Sequence, residues 1–269
     1  MFSEARLKSV LPVNGLGEPL YFYKTIGSTN DRAQELAQEG NVHGTLVVAD
    51  SQSAGRGRFQ RNWTTPARSA LAFSLVLRPE NVNPLGLARL NMLGALAVAE
   101  SLRSIGLDAR IKWPNDVILP EGKIAGVLTE GSWVGDSLEY AVLGIGVNVS
   151  PKSVPDLRDV DYPAACVEGE SDKRVKRVEL LVDILNRTGS WLGKLDSEII
   201  QSAFEEVLAF RDQQIRISGS DMELHGMLRG LSPDCRLRVS LVTGDVITVG
   251  GDDMQIRPVD INMDWTKLD

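Results

Sequence analysis

Hydrophobic residues along this chain recur with two spacings, one typical of helices and one typical of strands. Helical spacing predicts four helices, at residues 28–38, 87–103, 178–195 and 198–210. Short apolar or alternating runs predict six strands before the third helix, at residues 20–23, 45–50, 71–78, 109–113, 123–130 and 140–148. The last three of these strands follow one another with no helix between them. We therefore expect an α+β fold, with helices packed on one side of a mixed or antiparallel sheet.

A smaller unit is predicted at the C-terminal end, where the helical spacing stops. From Gln214 the chain alternates short strands with turns at residues 218–220, 232–234 and 243–245, which favours a small β-barrel-like module. A connection rich in Pro, Asp and Glu is expected at residues 150–175. The expected organisation is an N-terminal tail at 1–17, a large domain at 18–212 and a small β domain at 213–269.

Composition narrows the class of protein. With 43% hydrophobic and 24% charged residues among 269, the chain is ordinary globular material. It has no apolar run of the roughly 18 residues that a membrane helix needs, and its start lacks the apolar core of a secretory signal, so a cytoplasmic protein without a membrane partner is expected. The two cysteines and two histidines have no metal-ligand spacing, so we expect no metal site built by the protein.

One basic cluster runs against the net charge of −7. Residues 54–63, Ala-Gly-Arg-Gly-Arg-Phe-Gln-Arg-Asn-Trp, hold three arginines, two glycines and one tryptophan directly after a predicted strand. Glycines let a backbone approach a ligand closely, and arginines offer forked donors to phosphate or carboxylate. The loop therefore suggests an anion site. The alternatives are a solvated basic turn or a nucleic-acid contact, and the acidic composition argues against a general DNA or RNA binder.

Two further segments add polar groups to this picture. Lys112-Trp113-Pro114-Asn115-Asp116 follows a predicted strand, and Lys123 returns on the next one, so that two lysines could join the arginine loop in a cationic pocket. Each lysine alone is more often an exposed surface residue, and Pro-Asn-Asp is more often a plain turn. Ser28-Thr29-Asn30 opens a predicted helix, with Ser28 and Asp31 at capping-box spacing, and its free N–H groups could also recognise a small polar head group.

Taken together and in order, three motifs resemble those of biotin protein ligases. Residues 55–63 match the family's GRGRxxRxW signature, residues 112–116 match KWPND, and residues 123–130 match KxxGILxE with Val127 in place of Ile. The resemblance extends over about residues 20 to 260. It implies a fold like that of class II aminoacyl-tRNA synthetases and biotin ligases, with a small C-terminal SH3-like β-barrel.

The resemblance also implies a reaction. Biotin and ATP, with Mg²⁺, would give biotinyl-5′-AMP and pyrophosphate, and a lysine of a biotin carboxyl carrier protein, such as that of acetyl-CoA carboxylase, would then accept the biotinyl group. Such chemistry needs positive charge and positioning rather than a protein nucleophile. The family's larger members carry an N-terminal DNA-binding domain; since the first core strand is predicted at Leu20, a monofunctional ligase without DNA binding is expected. The sequence is compatible with a homodimer.

Roles carried over from the family fall into three overlapping sets. The biotin set is Ser28, Thr29, Asn30, Gln52, Arg56, Gly57, Arg58 and Lys123. The ATP and adenylate set is Arg56, Arg58, Arg61, Trp63, Lys112, Asn115, Asp116 and Asn148. The catalytic set is Arg58, Lys112, Asp116 and Lys123, with Asp116 a candidate to steady or deprotonate the acceptor lysine. The alternatives are a lipoate ligase or lipoyl/octanoyl transferase of the same fold, and an inactive regulator that only binds biotin.

Overall fold

The structure is a computed structural model that describes residues 2–11, 16–79, 85–156, 162–171, 174–195, 198–219, 222–251 and 254–259. Parts of the predicted tail, of the 150–175 connection, of the 218–220 turn and of the C-terminal end, from residue 260, lie outside these residues. The helices are α1 Glu4–Lys8, α2 Thr29–Gln38, α3 Leu85–Ser104, α4 Val167–Glu170, α5 Arg177–Leu192 and α6 Glu198–Glu206.

Twelve strands form two sheets. The first seven are β1 Leu20–Tyr23, β2 Leu46–Ala49, β3 Ala70–Leu77, β4 Arg110–Lys112, β5 Asp116–Leu119, β6 Gly122–Val134 and β7 Ser137–Asn148. They make one mixed sheet in the order β1-β2-β3-β7-β6-β5-β4, in which β1 and β2 run parallel and every other pair is antiparallel. The expected mixed α+β architecture is thus confirmed.

Helices cover both faces of this sheet, so the expectation of helices on one side was wrong. Helix α2 packs on one face over β2, β3 and β7, where Leu36 meets Val47, Val76 and Val142. Helices α3 and α5 cover the other face, which carries Phe73 and the rest of the main core. An amphipathic helix shows that one of its faces is buried, and it does not show which face of the sheet receives it.

Helix α3 is the most apolar helix, and its burial accounts for that composition. It is the one described helix long and apolar enough to cross a membrane, but it lies in the interior, against β6 and β7 on one side and α5 on the other. Twelve of its twenty residues are buried. A helix that packs on more than one side needs apolar residues around most of its circumference, as the sequence predicts.

The N-terminal residues are packed against the domain and include helix α1, which the expected tail did not foresee. Ser3 caps the helix, and Leu7 is fully buried in the main core. The ring of Phe2 lies 4.2 Å beneath the guanidinium of Arg177, which also pairs with Asp50 at 2.7 Å. The start of the chain is therefore held to α5 and to the end of β2 by apolar burial and by a cation–π contact.

The remaining strands, β8 Gln214–Ser218, β9 Glu223–Leu231, β10 Leu237–Ser240, β11 Val246–Val249 and β12 Gln255–Pro258, form the predicted C-terminal β unit. Their order is β11-β10-β9-β8-β12, with every pair antiparallel. Among the described residues the two edge strands do not pair, so the sheet does not close into the expected barrel. The indole N–H of Trp113 donates to the carbonyl of Cys235 at 3.0 Å and thereby ties this unit to the large domain.

Two local departures from the predicted elements affect the site. Asp116 begins strand β5 instead of completing a turn, so its side chain is fixed by the sheet. Helix α6 stops at Glu206, four residues before the predicted end, because the following backbone pairs with β4: Ile111 donates to Val207 at 2.7 Å and Ala209 donates to Ile111 at 2.8 Å. This pairing covers the edge of β4, which would otherwise expose unpaired backbone groups.

Candidate active site

The floor of the site is a row of small side chains that crosses the sheet on the face of α2. Strand register places Ala72 beside Gly146, Gly146 beside Gly126, Gly126 beside Asp116, and Asp116 beside Lys112. Because residues paired across a sheet share a face, three small residues lead directly to two charged ones. Glycine inside a strand often marks a close approach by another group, so the row leaves room above the sheet.

Two adjoining cavities lie over this floor. The smaller, about 40 Å³, lies at the N-terminus of α2 and includes Ser28, Thr29, Asn30, Gln52 and Arg56 in its lining. The larger, about 680 Å³, lies over the charged end of the row and reaches the C-terminal sheet. Trp63 and Asn115 line both cavities and mark the junction between them.

A chain of hydrogen bonds fixes the polar groups of the smaller cavity. Gln52 accepts at one oxygen from the backbone N–H of Thr29, at 2.7 Å, and contacts its hydroxyl at 3.0 Å. The hydroxyl of Ser74, fully buried on β3, lies 2.6 Å from the side-chain oxygen of Asn30 and 2.9 Å from that of Thr29. The capping bond from Asp31 to Ser28 is present as predicted. These groups form a preorganised cluster of hydroxyls and amides with no net charge.

Arg56 lies beside this cluster and is held by two carboxylates. Its guanidinium forms two bonds with Glu130, at 3.0 and 2.9 Å, and a third contact with Asp31 at 2.7 Å. Partial burial by itself would lower the pKa of Arg56, but the bonds and charges of Glu130 and Asp31 raise it above its usual value. Glu130 also accepts from the amide of Asn30 at 2.8 Å.

Trp63 separates the two cavities by lying flat on the glycine row. A Cβ atom on Gly146 would overlap the indole, and one on Gly126 would approach it to 3.3 Å. The indole N–H is buried, and no group in the described part of the chain accepts its hydrogen bond. A buried polar group without a partner is uncommon in proteins, and this one lies between the two cavities.

The larger cavity is lined by positive charge gathered around one carboxylate. Lys123 lies 2.6 Å from Asp116, and Lys112 lies 3.7 Å from it on the other side. Burial would raise the pKa of Asp116, but the charges of Lys123 and Lys112 outweigh burial and hold that pKa below its usual value. Burial lowers the pKa of Lys112 to about 8, with repulsion from Arg257 and Lys123 adding to the effect and Asp116 opposing it.

Residues from distant parts of the chain complete the rim of this cavity. The ring of Tyr162 lies between two cations, with the Lys112 ammonium at 5.0 Å and the Arg257 guanidinium at 4.9 Å from its centroid. On the arginine loop, Arg58 donates to the side-chain oxygen of Asn115 at 3.3 Å, and Asn115 in turn donates to the carbonyl of Val127. The cavity thus presents cations on several sides.

The structure brings nearly all predicted site residues together. Of the biotin set, the smaller cavity holds Ser28, Thr29, Asn30, Gln52 and Arg56. Arg58 and Lys123 line the larger cavity instead, and Gly57 lines neither. Of the ATP set, the larger cavity holds Arg58, Arg61, Trp63, Lys112, Asn115, Asp116 and Asn148. Arg56 is absent from its lining, because Glu130 and Asp31 hold that side chain over the smaller one.

Several residues of the site were missed by the sequence reasoning. Ser74 had a weak signal, since it is the one hydroxyl in the strand Ala-Leu-Ala-Phe-Ser-Leu-Val-Leu. Glu130 was visible as the last residue of the third motif but had no assigned role. Tyr162 and Arg257 had no signal, because one lies in the predicted connection and the other in the C-terminal unit.

The residues present do not form a metal cage. Asp116 is the only carboxylate among the described residues that line the larger cavity, and both of its neighbours are lysines. Among the residues the structure describes, no cluster of three His, Cys, Asp or Glu side chains could hold a metal. Mg²⁺ prefers several oxygen ligands and commonly binds through substrate phosphates, so any Mg²⁺ here would arrive with its nucleotide.

Comparison with known sequences identifies relatives over most of this region. The model of the Biotin/lipoate A/B protein ligase family matches residues 22–148. A biotin–[acetyl-CoA-carboxylase] ligase of Paracoccus denitrificans is 36% identical over 213 residues, which span 76% of this chain and 87% of the relative. A bifunctional ligase/repressor BirA of Bacillus subtilis is 35% identical over 176 residues, 64% of this chain. The match spans only 54% of the length of that Bacillus protein.

Solved structures of biotin protein ligases share the fold of this chain. A biotin protein ligase from Aquifex aeolicus, in complex with biotin and ATP, superposes with a TM-score of 0.76 and 28% identity, over 90% of this chain and 99% of the other. The ligand-free enzyme from the same organism has a TM-score of 0.71. The three motifs, the arrangement of the sheet and these relatives all indicate the same family. The chain therefore belongs to the biotin/lipoate protein ligase family, and within it to the biotin protein ligases.

Proposed function

We propose that this protein is an ATP-dependent biotin ligase, which forms biotinyl-5′-AMP and then transfers biotin to a lysine of a carrier protein. The observation that carries the proposal is the junction of the two cavities at Trp63 and Asn115. An uncharged cluster of hydroxyls and amides suits the ureido head of biotin, and the adjoining cationic cavity suits a nucleotide. The carboxylate end of biotin would then meet the α-phosphate at the junction. A solved relative in complex with biotin and ATP supports this pair of ligands.

In the first step, the biotin carboxylate attacks the α-phosphorus, and the bond to the leaving pyrophosphate breaks. Two anions must approach each other, so positive charge that is already in place lowers the barrier. Lys123, Lys112, Arg58 and Arg61 line the cavity in which this charge develops. The buried indole N–H of Trp63 is a further donor at the junction, and a ligand oxygen could accept its bond.

In the second step, the acceptor lysine attacks the acyl carbon and AMP leaves. Asp116 was a candidate base for that amine, but its low pKa and its pairing with two lysines make it a weak proton acceptor. We assign it instead the role of holding Lys112 and Lys123 in position. The acceptor we propose is a biotin carboxyl carrier protein of acetyl-CoA carboxylase or a related carboxylase, and the nucleotide would enter with Mg²⁺.

Arg56 has a different proposed role from Arg58 and Arg61. Because two carboxylates already pair with it, Arg56 anchors the loop beside the biotin head, while the other two arginines face the nucleotide cavity. The smaller cavity is the narrower of the two, and Trp63 of the arginine loop lies at its junction with the larger one. The loop that carries Trp63 would therefore move when biotin enters, and closing again would shield the labile adenylate from water.

We also propose that the enzyme is soluble and acts in the cytoplasm without binding DNA or a membrane. Both cysteines are buried free thiols, which is typical of a reducing compartment. The apolar helix α3 is a core helix.

The test of the proposed function is a direct choice of substrate. Purified protein with MgATP and a biotin carboxyl carrier domain is supplied with biotin or with lipoate, and the carrier is analysed by intact mass spectrometry. We expect the mass of one biotinyl group, because the dithiolane ring of lipoate offers no N–H groups to the amides and hydroxyls of the smaller cavity. Preferential addition of a lipoyl group would overturn the choice of substrate. If neither biotin nor lipoate led to release of pyrophosphate, the proposed reaction would be wrong.

A second prediction concerns pH. Lys112 has a pKa of about 8, so it is charged at pH 7 and loses its proton as the pH rises through 8. A polyphosphate favours the charged form, and its affinity should therefore fall above pH 8, by up to about tenfold per pH unit while one proton is lost. Calorimetric titration with a non-hydrolysable ATP analogue between pH 6.5 and 9.5 measures this.

The matched comparison uses arginine, which stays charged throughout that range. Lys112→Arg should flatten the alkaline fall in affinity, whereas Lys176→Arg, at an exposed position on the surface, should keep it. An identical alkaline fall in the Lys112→Arg variant would show that another group is responsible.

A further inference from the structure

Within the described part of the chain, the side chain of Glu130 contacts both Asn30, in the cluster of hydroxyls and amides of the smaller cavity, and Arg56, on the arginine loop. It lies on β6 beside Val142, on the same face of the sheet as α2. One of its oxygens accepts from Asn30 at 2.8 Å, and its two oxygens together bind the guanidinium of Arg56 at 2.9 and 3.0 Å. The side chain is 27% exposed, so these bonds are only partly screened by solvent.

The bond to Asn30 decides which way the amide points. An ionised carboxylate can only accept hydrogen bonds, so Glu130 must face the NH₂ group of Asn30. That group also contacts the carbonyl of Leu128 at 3.4 Å, and both of its hydrogens are then in use. The oxygen of Asn30, which contacts Ser74 at 2.6 Å, has a second lone pair. Asn30 can therefore offer a ligand an acceptor and no donor.

The bond to Arg56 fixes the loop at the same time. Arg56 pairs through its backbone with Asn62 across the loop, so holding its guanidinium holds both sides of the turn. Asp31 adds a second carboxylate, but only to Arg56. Removing the charge of Glu130 would thus act on two features together, the polarity of Asn30 and the anchoring of the loop, whereas a change at Asp31 would act on the loop alone.

We infer that Glu130 is a positioning residue for biotin: it orients Asn30 to accept a ureido N–H and anchors the arginine loop over the bound head group. This inference rests on the proposed biotin ligase function. Glutamine at this position keeps the size of the side chain but loses the charge and can donate a hydrogen bond. The NH₂ group of Asn30 then loses its charged acceptor and keeps the longer contact with the Leu128 carbonyl, at 3.4 Å, so the amide can turn over more readily. Glu130 itself does not line the larger cavity, so the substitution acts on that cavity only through the loop.

The experiment compares biotin with a biotin analogue methylated at a ureido nitrogen, each of the two nitrogens being tested. Calorimetry without ATP gives the affinities, and steady-state kinetics gives KM for biotin and for ATP. In the unsubstituted protein, methylation of the N–H that faces Asn30 should cost about tenfold or more in affinity. Glu130→Gln should weaken biotin binding by about tenfold, reduce the methylation penalty to less than about threefold, and raise KM for ATP by less than KM for biotin, because Glu130 does not line the nucleotide cavity.

Three other variants sharpen the result. Asn30→Ala removes the acceptor and should lose the methylation penalty as Glu130→Gln does, which keeps the test valid if either variant folds poorly. Asp31→Asn should weaken biotin binding less and keep the penalty. Glu139→Gln, at an exposed site on β7, should change neither.

Two results would contradict the inference, and they are separable from failure of the proposed function. If Glu130→Gln kept both its affinity for biotin and the methylation penalty within twofold, Glu130 would not position the head group. If KM for ATP rose as much as KM for biotin, its role would be general support of the fold. Should the unsubstituted protein fail to make an adenylate from biotin at all, the proposed function itself would fall.

Discussion

Replacing Lys123 with methionine is expected to slow formation of biotinyl-5′-AMP by about 10²–10³-fold, the usual loss when one preorganised donor to a developing anion is removed. Lys123 lines the larger cavity on the strand next to Asp116, and its ammonium lies 2.6 Å from that carboxylate. Methionine keeps the length of the side chain without the charge. It would leave Asp116 with Lys112, at 3.7 Å, and the charge of Arg58, and a less compensated carboxylate would repel the incoming phosphates.

Single-turnover measurement of pyrophosphate release, with saturating biotin and ATP, would report this step without the later transfer. The control is Lys176→Met, since Lys176 is exposed on the surface and pairs only with its neighbour Glu179 among the described contacts. Adding Asp116→Asn to Lys123→Met should restore part of the ATP affinity but little of the rate, because the repulsion is removed while the donor is still missing. A rate within threefold of the unsubstituted protein would exclude Lys123 from the chemical step.

Gly146→Ala is expected to weaken biotin binding by about 5- to 150-fold, from the roughly 1–3 kcal/mol that overpacking costs. The new methyl group would overlap the indole of Trp63, which lies on the glycine row where the two cavities meet. The loop would have to shift away from the sheet, and the biotin head would lose the surface it needs. Alanine is also preferred to glycine within a strand by about 0.5–1 kcal/mol, so the melting temperature should not fall in parallel.

This separation of binding from stability is what makes the test decisive. Gly193→Ala is the matched control, because a methyl group there would meet no atom within 4 Å. Biotin affinity by calorimetry and melting by circular dichroism would be measured on both variants. If Gly146→Ala lost stability and affinity to the same extent, Gly146 would serve the packing of the sheet and not the site.

Local patterns were sufficient to predict most elements of the large domain. Strand β3 and helix α3 begin and end within two residues of their predicted limits, because one is a run of apolar residues and the other has helical spacing throughout. The predicted limits of an element were wrong where a segment distant in the sequence packs against it. Helix α6 ends early because the chain after it pairs with β4. Strand β5 was not predicted, because it begins within the turn-like sequence Pro-Asn-Asp.

The candidate site could be predicted as a set of residues but not as an arrangement. The three motifs were recognised from residue types and order, and their two lysines and two of their three arginines, Arg58 and Arg61, line one cavity. The resemblance to the family placed Arg56 and Arg58 together around the biotin carboxylate and the phosphate, with Arg58 also in the catalytic set. In the structure Glu130, which lies 74 positions from Arg56 along the chain, binds the Arg56 guanidinium beside the smaller cavity.

What the sequence determined by itself is the identity of most elements of the large domain, the polar character of the α2 N-terminus and the positive charge of the loop, because each depends on residues close together in the chain. Only the tertiary structure decided that α2 and α3 lie on opposite faces, that Gly126 and Gly146 form one floor under Trp63, and that Tyr162 and Arg257 reach the same cavity. Strand register and the docking of the C-terminal sheet bring those groups together. Such pairings depend on the packing of the whole chain, so the local spacing of residues does not predict them.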